Sequence, residues 1–340
     1  MNELSRRQAV SGVGASCIAT LLGNPAPLRA SPSAVRLKLG NDLPPAHPVN
    51  VRLREAVAAI QAETQGAILI ELFPNNHLGG DPNMLSQVRS GALEMATFPG
   101  TVMSTLVPVM ALPGIGFAYT NYDDVWASMD GALGQHLRSQ LSSAHLHPFE
   151  AAWDNGFRQI TTSTKPILSP QDLISFKIRV PVVPLWVTMF KALQAAPVSI
   201  PLNEAYSSLQ THIADGQENP LSLISIAKFY EVQKYCSLTN HAWDGFWLVA
   251  NDRVWNALPK DIQGVLAKHL NAAALAERAD IAQANTTLRK ELEGHGLQFS
   301  TVEPGAFRAA LRTSGFYARS RERFGEQAWS LLEKFTGRLG

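Results

Sequence analysis

Cysteine is nearly absent: two occur in 340 residues, Cys17 and Cys236. Cys17 lies in an N-terminal segment that reads as removed on export, which leaves Cys236 alone and excludes an internal disulfide framework. A charge excess is missing too. Lys and Arg total 29 against 28 Asp and Glu, for a net charge of +1. No basic field points to nucleic acid, and no acidic excess points to disorder. Catalytic signatures are sparse. There is no Gly-x-Ser-x-Gly elbow, no His-Glu-x-x-His and no Cys/His cluster. His145 and His147 stand two apart, His212 and His241 stand alone, and Asp123, Asp124 and Asp154 are as well explained by turns and caps. An exported hydrolase, which needs a nucleophile with a base or a metal, is therefore a remote reading. No metal or cofactor is expected.

What is present begins with an export signal. Arg6 and Arg7 precede a weakly apolar stretch to about Leu22 and then "GNPAPLRAS". A paired arginine, a modest apolar core and a small residue before a break describe a twin-arginine-type signal over residues 1–30, and place the mature chain in the periplasm. The stretch is too short and too rich in Gly, Ser and Ala to span a bilayer permanently.

Beyond it, periodicity alternates between strand and helix. "VRLKLG" (35–40), "AILIELF" (67–73) and "LEMATF" (93–98) read as strands, separated by helices at 49–64 and 82–91. This order implies a mainly parallel sheet with helices on both faces. The pattern recurs with strands at 145–153, 158–163, 176–180 and 196–201. It adds helices at 184–193 and 203–216, with Asn203 as N-cap, and another beginning near Asn219-Pro220. Residues 259–296 have no internal proline and few glycines. They predict one helix of roughly 55 Å, long enough to run along two lobes. The fold class is α/β with two lobes and a cleft. Lobe I takes 35–155 plus 245–283, and lobe II takes 156–244 plus 284–340.

Arg179 ends the strand "FKIRV", and Pro181 forces the chain out of it. Open α/β sheets hold ligands beyond the C-terminal ends of their strands, so Arg179 is a cleft residue. A buried guanidinium needs a carboxylate. That partner is either internal, with Glu218 or Asp215 forming a structural pair, or a bound acid. "IADGQENPL" packs Asp215, Gln217, Glu218 and Asn219 before an apolar helix, where free N–H groups favour an anion.

Several stretches, in order, resemble one family. They are "NHLGGDPNMLSQVRSGALEMAT" (76–97), "NGFRQITTS" (155–163), "FKIRVP" (176–181), "APVSIPLNEAYSSLQTHIADGQENPLSLISIAKFYEVQKYCSLTNH" (196–241) and "LVANDRVWNALPKDIQ" (248–263). Over roughly residues 35–330 the chain resembles the substrate-binding protein of tripartite ATP-independent periplasmic (TRAP) transporters, DctP type. The resemblance implies a two-lobed periplasmic-binding-protein fold with a long helix spanning both lobes. It implies capture of an organic acid by its carboxylate, and delivery of the acid to integral membrane subunits by a monomeric, non-enzymatic protein. The family's clamping arginine falls on Arg179. A second, assisting arginine falls on Arg158, and a hydrogen-bond donor to the same carboxylate falls on Asn219.

The sequence also departs from the family's sugar-acid binders. Val182 follows "RVP" where sialic acid binders carry asparagine, and Pro99 ends "LEMATF" where they carry an acidic residue. An apolar site penalises hydroxyls left without partners. With Trp186, Trp243, Phe246 and Trp247 near the cleft, these changes point to an apolar or aromatic monocarboxylate, with a 2-oxo or 2-hydroxy acid as one form of it. A sugar acid, a C4-dicarboxylate or ligand capture for signalling are the alternatives. Asn41, Asp42 and His47 mark one rim.

Overall fold

Twelve strands organise the residues described by the computed structural model, 34–340. The export segment lies outside them. In chain order the strands are β1 (Val35–Gly40), β2 (Ile68–Phe73), β3 (Met95–Pro99), β4 (Leu146–Pro148), β5 (Trp153–Phe157), β6 (Gln159–Thr162), β7 (Lys177–Val180), β8 (Ala196–Ser199), β9 (Gly216–Asn219), β10 (Tyr235–Leu238), β11 (Trp243–Asn251) and β12 (Gln298–Thr301). They form two six-stranded sheets. The first runs β2-β1-β3-β11-β4, with β5 also paired to β11. The second runs β12-β10-β6-β9-β7-β8.

Hydrophobic spacing explains the first sheet. Leu37 and Leu39 alternate inward along β1. The helix Pro48–Glu63 buries Val49, Leu53, Ala56 and Ile60, one face at helical spacing. Full burial of each Val, Leu or Ile side chain contributes about 1.5–3 kcal/mol, and the Ala56 methyl less. The helix Asp81–Ser90 stops at Gly91, whose φ of 85° suits glycine, and whose N–H donates to Gln87 O at 3.0 Å. Strands β1, β2 and β3 are parallel, as their helical connections require. The sheet is not mainly parallel, however: β11 enters antiparallel to β3, β4 and β5. Residues 145–153, which read as one strand, divide into β4 and the start of β5, both laid on β11.

The chain passes from the first sheet to the second at Phe157–Gln159, and returns between Leu238 and Trp243. The two passages lie side by side, with Arg158 N donating to Ala242 O at 2.9 Å. Gln159 Nε2 donates to Asn240 Oδ1 at 2.6 Å, and Asn240 N to Gln159 Oε1 at 3.0 Å.

The long helix is shorter than its sequence suggests. It covers Lys260–Asn285, about 39 Å at 1.5 Å per residue, and a separate helix follows over Leu288–Gly294. The break falls on Thr286 and Thr287. Their hydroxyls bond back to the carbonyls of Gln283 (2.7 Å) and Ala284 (3.3 Å), in competition with the helical ladder. The helix expected over 203–216 also ends early, spanning Leu202–Gln210 with Pro201 rather than Asn203 at its cap position. The three C-terminal helices bridge the sheets. Gly305–Thr313 packs on the helix Pro184–Ala192 beside the second sheet, and Glu326–Thr336 packs on Tyr122–Met129 and Ala132–Ser143 beside the first.

Candidate functional site

The loops after β1, β2 and β3 face those after β7, β8 and β9 across a cavity between the sheets. Each loop leaves the C-terminal end of its strand, where open α/β sheets collect ligands. The first sheet contributes Asp42, Asp81, Pro99 and Thr101. The second contributes Arg179, Val182 and Asn219.

Arg179 is held from behind. Strand β7 lies between the parallel strands β8 and β9, and the side chain of Arg179 leaves it 1% exposed. Its Nε and Nη2 donate to Ile200 O at 2.8 and 2.6 Å. Nη1 is buried and has no partner among the described residues. Burial pulls the guanidinium down to about 10, and the Glu218 charge opposes that fall, so the group remains a cation at neutral pH.

Arg158 occupies the first passage between the sheets and is internally committed. It forms a forked pair with Glu218, Nε to Oε2 and Nη2 to Oε1 (3.0 Å), and Nη2 also donates to Asn219 Oδ1 at 2.9 Å. Its Nη1 lies 3.8 Å from Asp244 Oδ2. Its central carbon sits 4.4 Å from the centroid of the Trp186 ring, and Trp186 Nε1 donates to Gly114 O at 3.0 Å. Gly114 has no room for a side chain, since a Cβ there would stand 2.8 Å from Thr101 Cγ2.

Glu218 is buried. Burial alone would raise its carboxyl, but the Arg158 charge and the bonds from His241 and Arg158 hold it below the usual carboxylate range. His241 Nε2 lies 3.1 Å from Glu218 Oε2, and its Nδ1 lies 2.8 Å from Thr239 Oγ1. Because a carboxylate only accepts, the Nε2-protonated tautomer satisfies both contacts. Asn219 is fixed at both ends: its Nδ2 donates to Gln217 Oε1 at 2.6 Å, and Gln217 Nε2 donates to Thr161 Oγ1 at 2.7 Å.

Facing the arginines is a wall of carboxyls. Burial pushes Asp42 up to about 6 against the opposing charges of Arg179 and Arg158. Burial pushes Asp244 up to about 7 against Arg158 and the Asn155 bond. Asp81 is raised well above the usual range by burial and then by the negative charges of Asp42 and Asp244. Asp42 Oδ1, Asp81 Oδ1, Asn76 Oδ1, Asn155 Oδ1 and Thr101 Oγ1 are all buried without a partner among the described residues.

Of the residues singled out in the sequence, Arg179, Arg158, Asn219, Trp186, Val182, Pro99 and Phe246 line this cavity. Trp243 does not. Its Nε1 donates to Asp154 Oδ1 at 2.9 Å and its ring packs on Tyr119 and Trp126. Trp247 is likewise core, its Nε1 lying against Gly100. At the rim, Asp42 reaches the cavity. Asn41 instead donates to Asn50 Oδ1 at 2.8 Å, and His47 caps the helix Pro48–Glu63. Asp81, Asp244, Asn155 and Thr101 were not anticipated. Asp81 in "GGDPN" carried the one available signal, an acid just after a strand-end loop.

The expectation of an apolar or aromatic monocarboxylate gains no support here, and the alternative of a sugar acid stands nearer. Val182, Pro99, Phe246 and Trp186 do supply apolar wall, but Trp243 and Trp247, which would have extended it, lie in the core. Of the unpartnered atoms on the far wall, four are carboxyl or amide oxygens and the fifth is the Thr101 hydroxyl, which can donate or accept.

The family model of the bacterial extracellular solute-binding proteins, family 7 (DctP), matches residues 39–315. A solute-binding protein of Roseobacter denitrificans is 32% identical over 308 residues, 89% of this chain and 92% of the relative. A solved TRAP periplasmic solute-binding protein from that organism, with bound L-galactonate, has a TM-score of 0.81 at 30% identity, covering 87% of this chain and 98% of the other. The 2,3-diketo-L-gulonate-binding periplasmic protein of Escherichia coli is 30% identical over 83% of this chain and 86% of its own. A TRAP periplasmic solute-binding protein from Sulfurospirillum deleyianum with bound succinate has a TM-score of 0.82 at 27% identity, covering 89% and 98%. With its fold, its strand-end arginine and these relatives in agreement, the chain belongs to the DctP family of bacterial extracellular solute-binding proteins.

Proposed function

We propose that this chain captures a polyhydroxylated monocarboxylate, a sugar acid of the aldonate kind, and delivers it in the periplasm to TRAP membrane subunits. The observation that carries this reading is the pairing of one buried, uncommitted cationic donor, Arg179 Nη1, with a far wall of uncommitted acceptors in the same cavity. A carboxylate answers the first, and hydroxyl groups answer the second.

Arg179 clamps the carboxylate. Arg158, braced by Glu218 and stacked on Trp186, holds Asn219 in place and adds its charge. Val182, Pro99 and Phe246 pack against the carbon chain. The sheets act as the two lobes, and they move about the paired passages at 157–159 and 239–242 and about the Thr286–Thr287 break. Closure removes water and strengthens the ion pair. The protein acts as a monomer, exported by the signal at 1–30, and performs no catalytic step. The succinate-bound relative favours a second reading, a C4-dicarboxylate, but a second carboxylate would meet the acidic wall.

A thermal-shift screen of the mature protein and Arg179→Ala tests this reading, with D-erythronate, L-galactonate, D-gluconate, succinate and phenylpyruvate as probes. Binding to the folded form alone raises Tm by mass action. Stabilisation of wild type by aldonates, lost in Arg179→Ala, is expected. A response to phenylpyruvate or succinate alone would refute the hydroxy-acid assignment.

A further inference from the structure

The cavity walls carry two guanidiniums, Arg158 and Arg179, and three carboxyls: Asp244, which is buried, and Asp42 and Asp81, which are half-buried with their Oδ1 atoms sealed from solvent; Glu218 lies buried behind Arg158. Glu218 is spent on Arg158 and His241. Asp244 rests near Arg158 Nη1 and accepts from Asn155 Nδ2 at 3.3 Å. Asp42 feels both guanidiniums. Asp81 has no cation beside it: the charges acting on it are those of Asp42 and Asp244. Its Oδ1 is buried and unpartnered in the cavity wall.

Resting on the hydroxy-acid reading, the geometry points to Asp81, with Asp42 beside it, as the specificity-determining wall that makes this site a monoanion filter: it accepts hydroxyls at the far end of the ligand and rejects a second carboxylate there. A ligand hydroxyl donates to an acidic side chain whether or not that side chain holds its proton, so a hydroxylated chain end is matched. A second carboxylate can only accept. It would stand in a confined space beside two carboxyls: where Asp42 and Asp81 are ionised, the juxtaposition of like charges weakens binding by orders of magnitude, and where they are not, its binding depends on both keeping their protons. Besides Arg179 Nη1, the one guanidinium nitrogen here without a hydrogen bond among the described residues is Arg158 Nη1, and Asp244 Oδ2 stands 3.8 Å from it. The two Arg179 donors other than Nη1 are held by Ile200 O, and Arg158 Nε and Nη2 by Glu218 and Asn219.

The test compares acids that share a carbon chain and hydroxyl pattern and differ only at the far carbon: L-galactonate with galactarate, D-gluconate with D-glucarate, D-erythronate with meso-tartrate. Calorimetric titration of wild type, Asp81→Asn and Asp42→Asn gives a monoacid-to-diacid ratio for each protein. Wild type is expected to favour the monoacid by roughly a hundredfold or more. In Asp81→Asn the ratio should shrink at least about tenfold, because the amide removes the charge and supplies two donors. Asp42→Asn should move it in the same direction, and carries the test if Asp81→Asn fails to fold. A structural defect would weaken both acids together and leave the ratio unmoved. Equal binding of mono- and diacid by wild type overturns the filter while leaving the Arg179 clamp standing. So does a ratio unchanged in a folded variant. Silence from both members of every pair instead sinks the hydroxy-acid reading, and the filter falls with it.

Discussion

The guanidinium of Arg158 sits over the indole of Trp186, its central carbon 4.4 Å from the ring centroid, while its edge forks onto Glu218. All three side chains are buried. Arg158→Ala should destabilise the fold by about 3–5 kcal/mol, because it strands the Glu218 carboxylate. Glu218→Gln should cost less, since the amide still accepts one bond. Urea unfolding of both variants checks the order, and a smaller loss in Arg158→Ala than in Glu218→Gln would contradict it.

Arg179 should behave in the opposite way. Its attachments are two bonds to one carbonyl, Ile200 O, and no carboxylate is pinned to it. Arg179→Ala should therefore cost little stability but reduce affinity for the bound acid roughly a hundredfold or more. Arg179→Lys should not restore it, because an ammonium cannot brace on Ile200 and present a second donor in the same geometry. Calorimetry on folded variants separates affinity from stability.

Asp154 and Glu277 should make stability fall with rising pH. Asp154 is buried, and burial pushes it up to about 7 against the Trp243 and Tyr122 bonds. Glu277, on the long helix, accepts from Asp154 N at 2.9 Å with its other oxygen unpartnered, and is raised well above its usual range by burial and by the Asp154 charge. In the unfolded chain these groups ionise near about 4. Between that pH and about 7 the folded state holds more protons, so stability is greatest at the acid end and is lost as pH rises through about 7. Each retained proton contributes a slope of at most ~1.4 kcal/mol per pH unit. Melting curves from pH 5 to 8 should show the decline in wild type and a shallower one in Glu277→Gln, which keeps the acceptor without the charge.

Two glycine substitutions should differ in sign. At Gly245, beside the β11 bulge, a Cβ would stand 2.4 Å from the Trp243 ring and 3.0 Å from Trp153 O. Gly245→Ala should cost about 1–3 kcal/mol through overpacking. Gly264 lies exposed inside the long helix with nothing near its missing side chain. Gly264→Ala should stabilise by roughly 0.5–1 kcal/mol. Denaturant midpoints decide both.

Much of the frame was legible in the sequence, because apolar spacing reports burial directly. Strands β1, β2 and β7 and the helix Pro48–Glu63 lie within a residue of where their patterns put them, and Arg179 stands where "IRVP" leaves its strand. Strand β9 was not legible. "GQEN" is wholly polar, yet it is the buried strand between β6 and β7, because its side chains are satisfied by partners far away in the chain: Thr161 for Gln217, Arg158 for Glu218 and Asn219. Trp243 was misplaced for the converse reason. All nine residues of β11 are buried, so alternation carries no information about which face is the cleft. Asp81 escaped notice because a lone acid near a turn has the same local pattern whether it caps a helix or faces a cavity, and Asp244 because it stands inside the fully buried strand β11.

Strand β11 sits between β3 and β4 in the first sheet, although the chain builds the whole of β4 to β10 before it. While the protein is being synthesised, the apolar edge "MATFP" of β3 therefore waits without its neighbour from residue 99 until residue 243 has been made. An unpaired, hydrophobic strand edge invites pairing with another chain, and closing so distant a contact is slow. The centre of the first sheet is thus the last part of it to be completed, and a nascent chain halted short of β11 should be the species most in need of a chaperone.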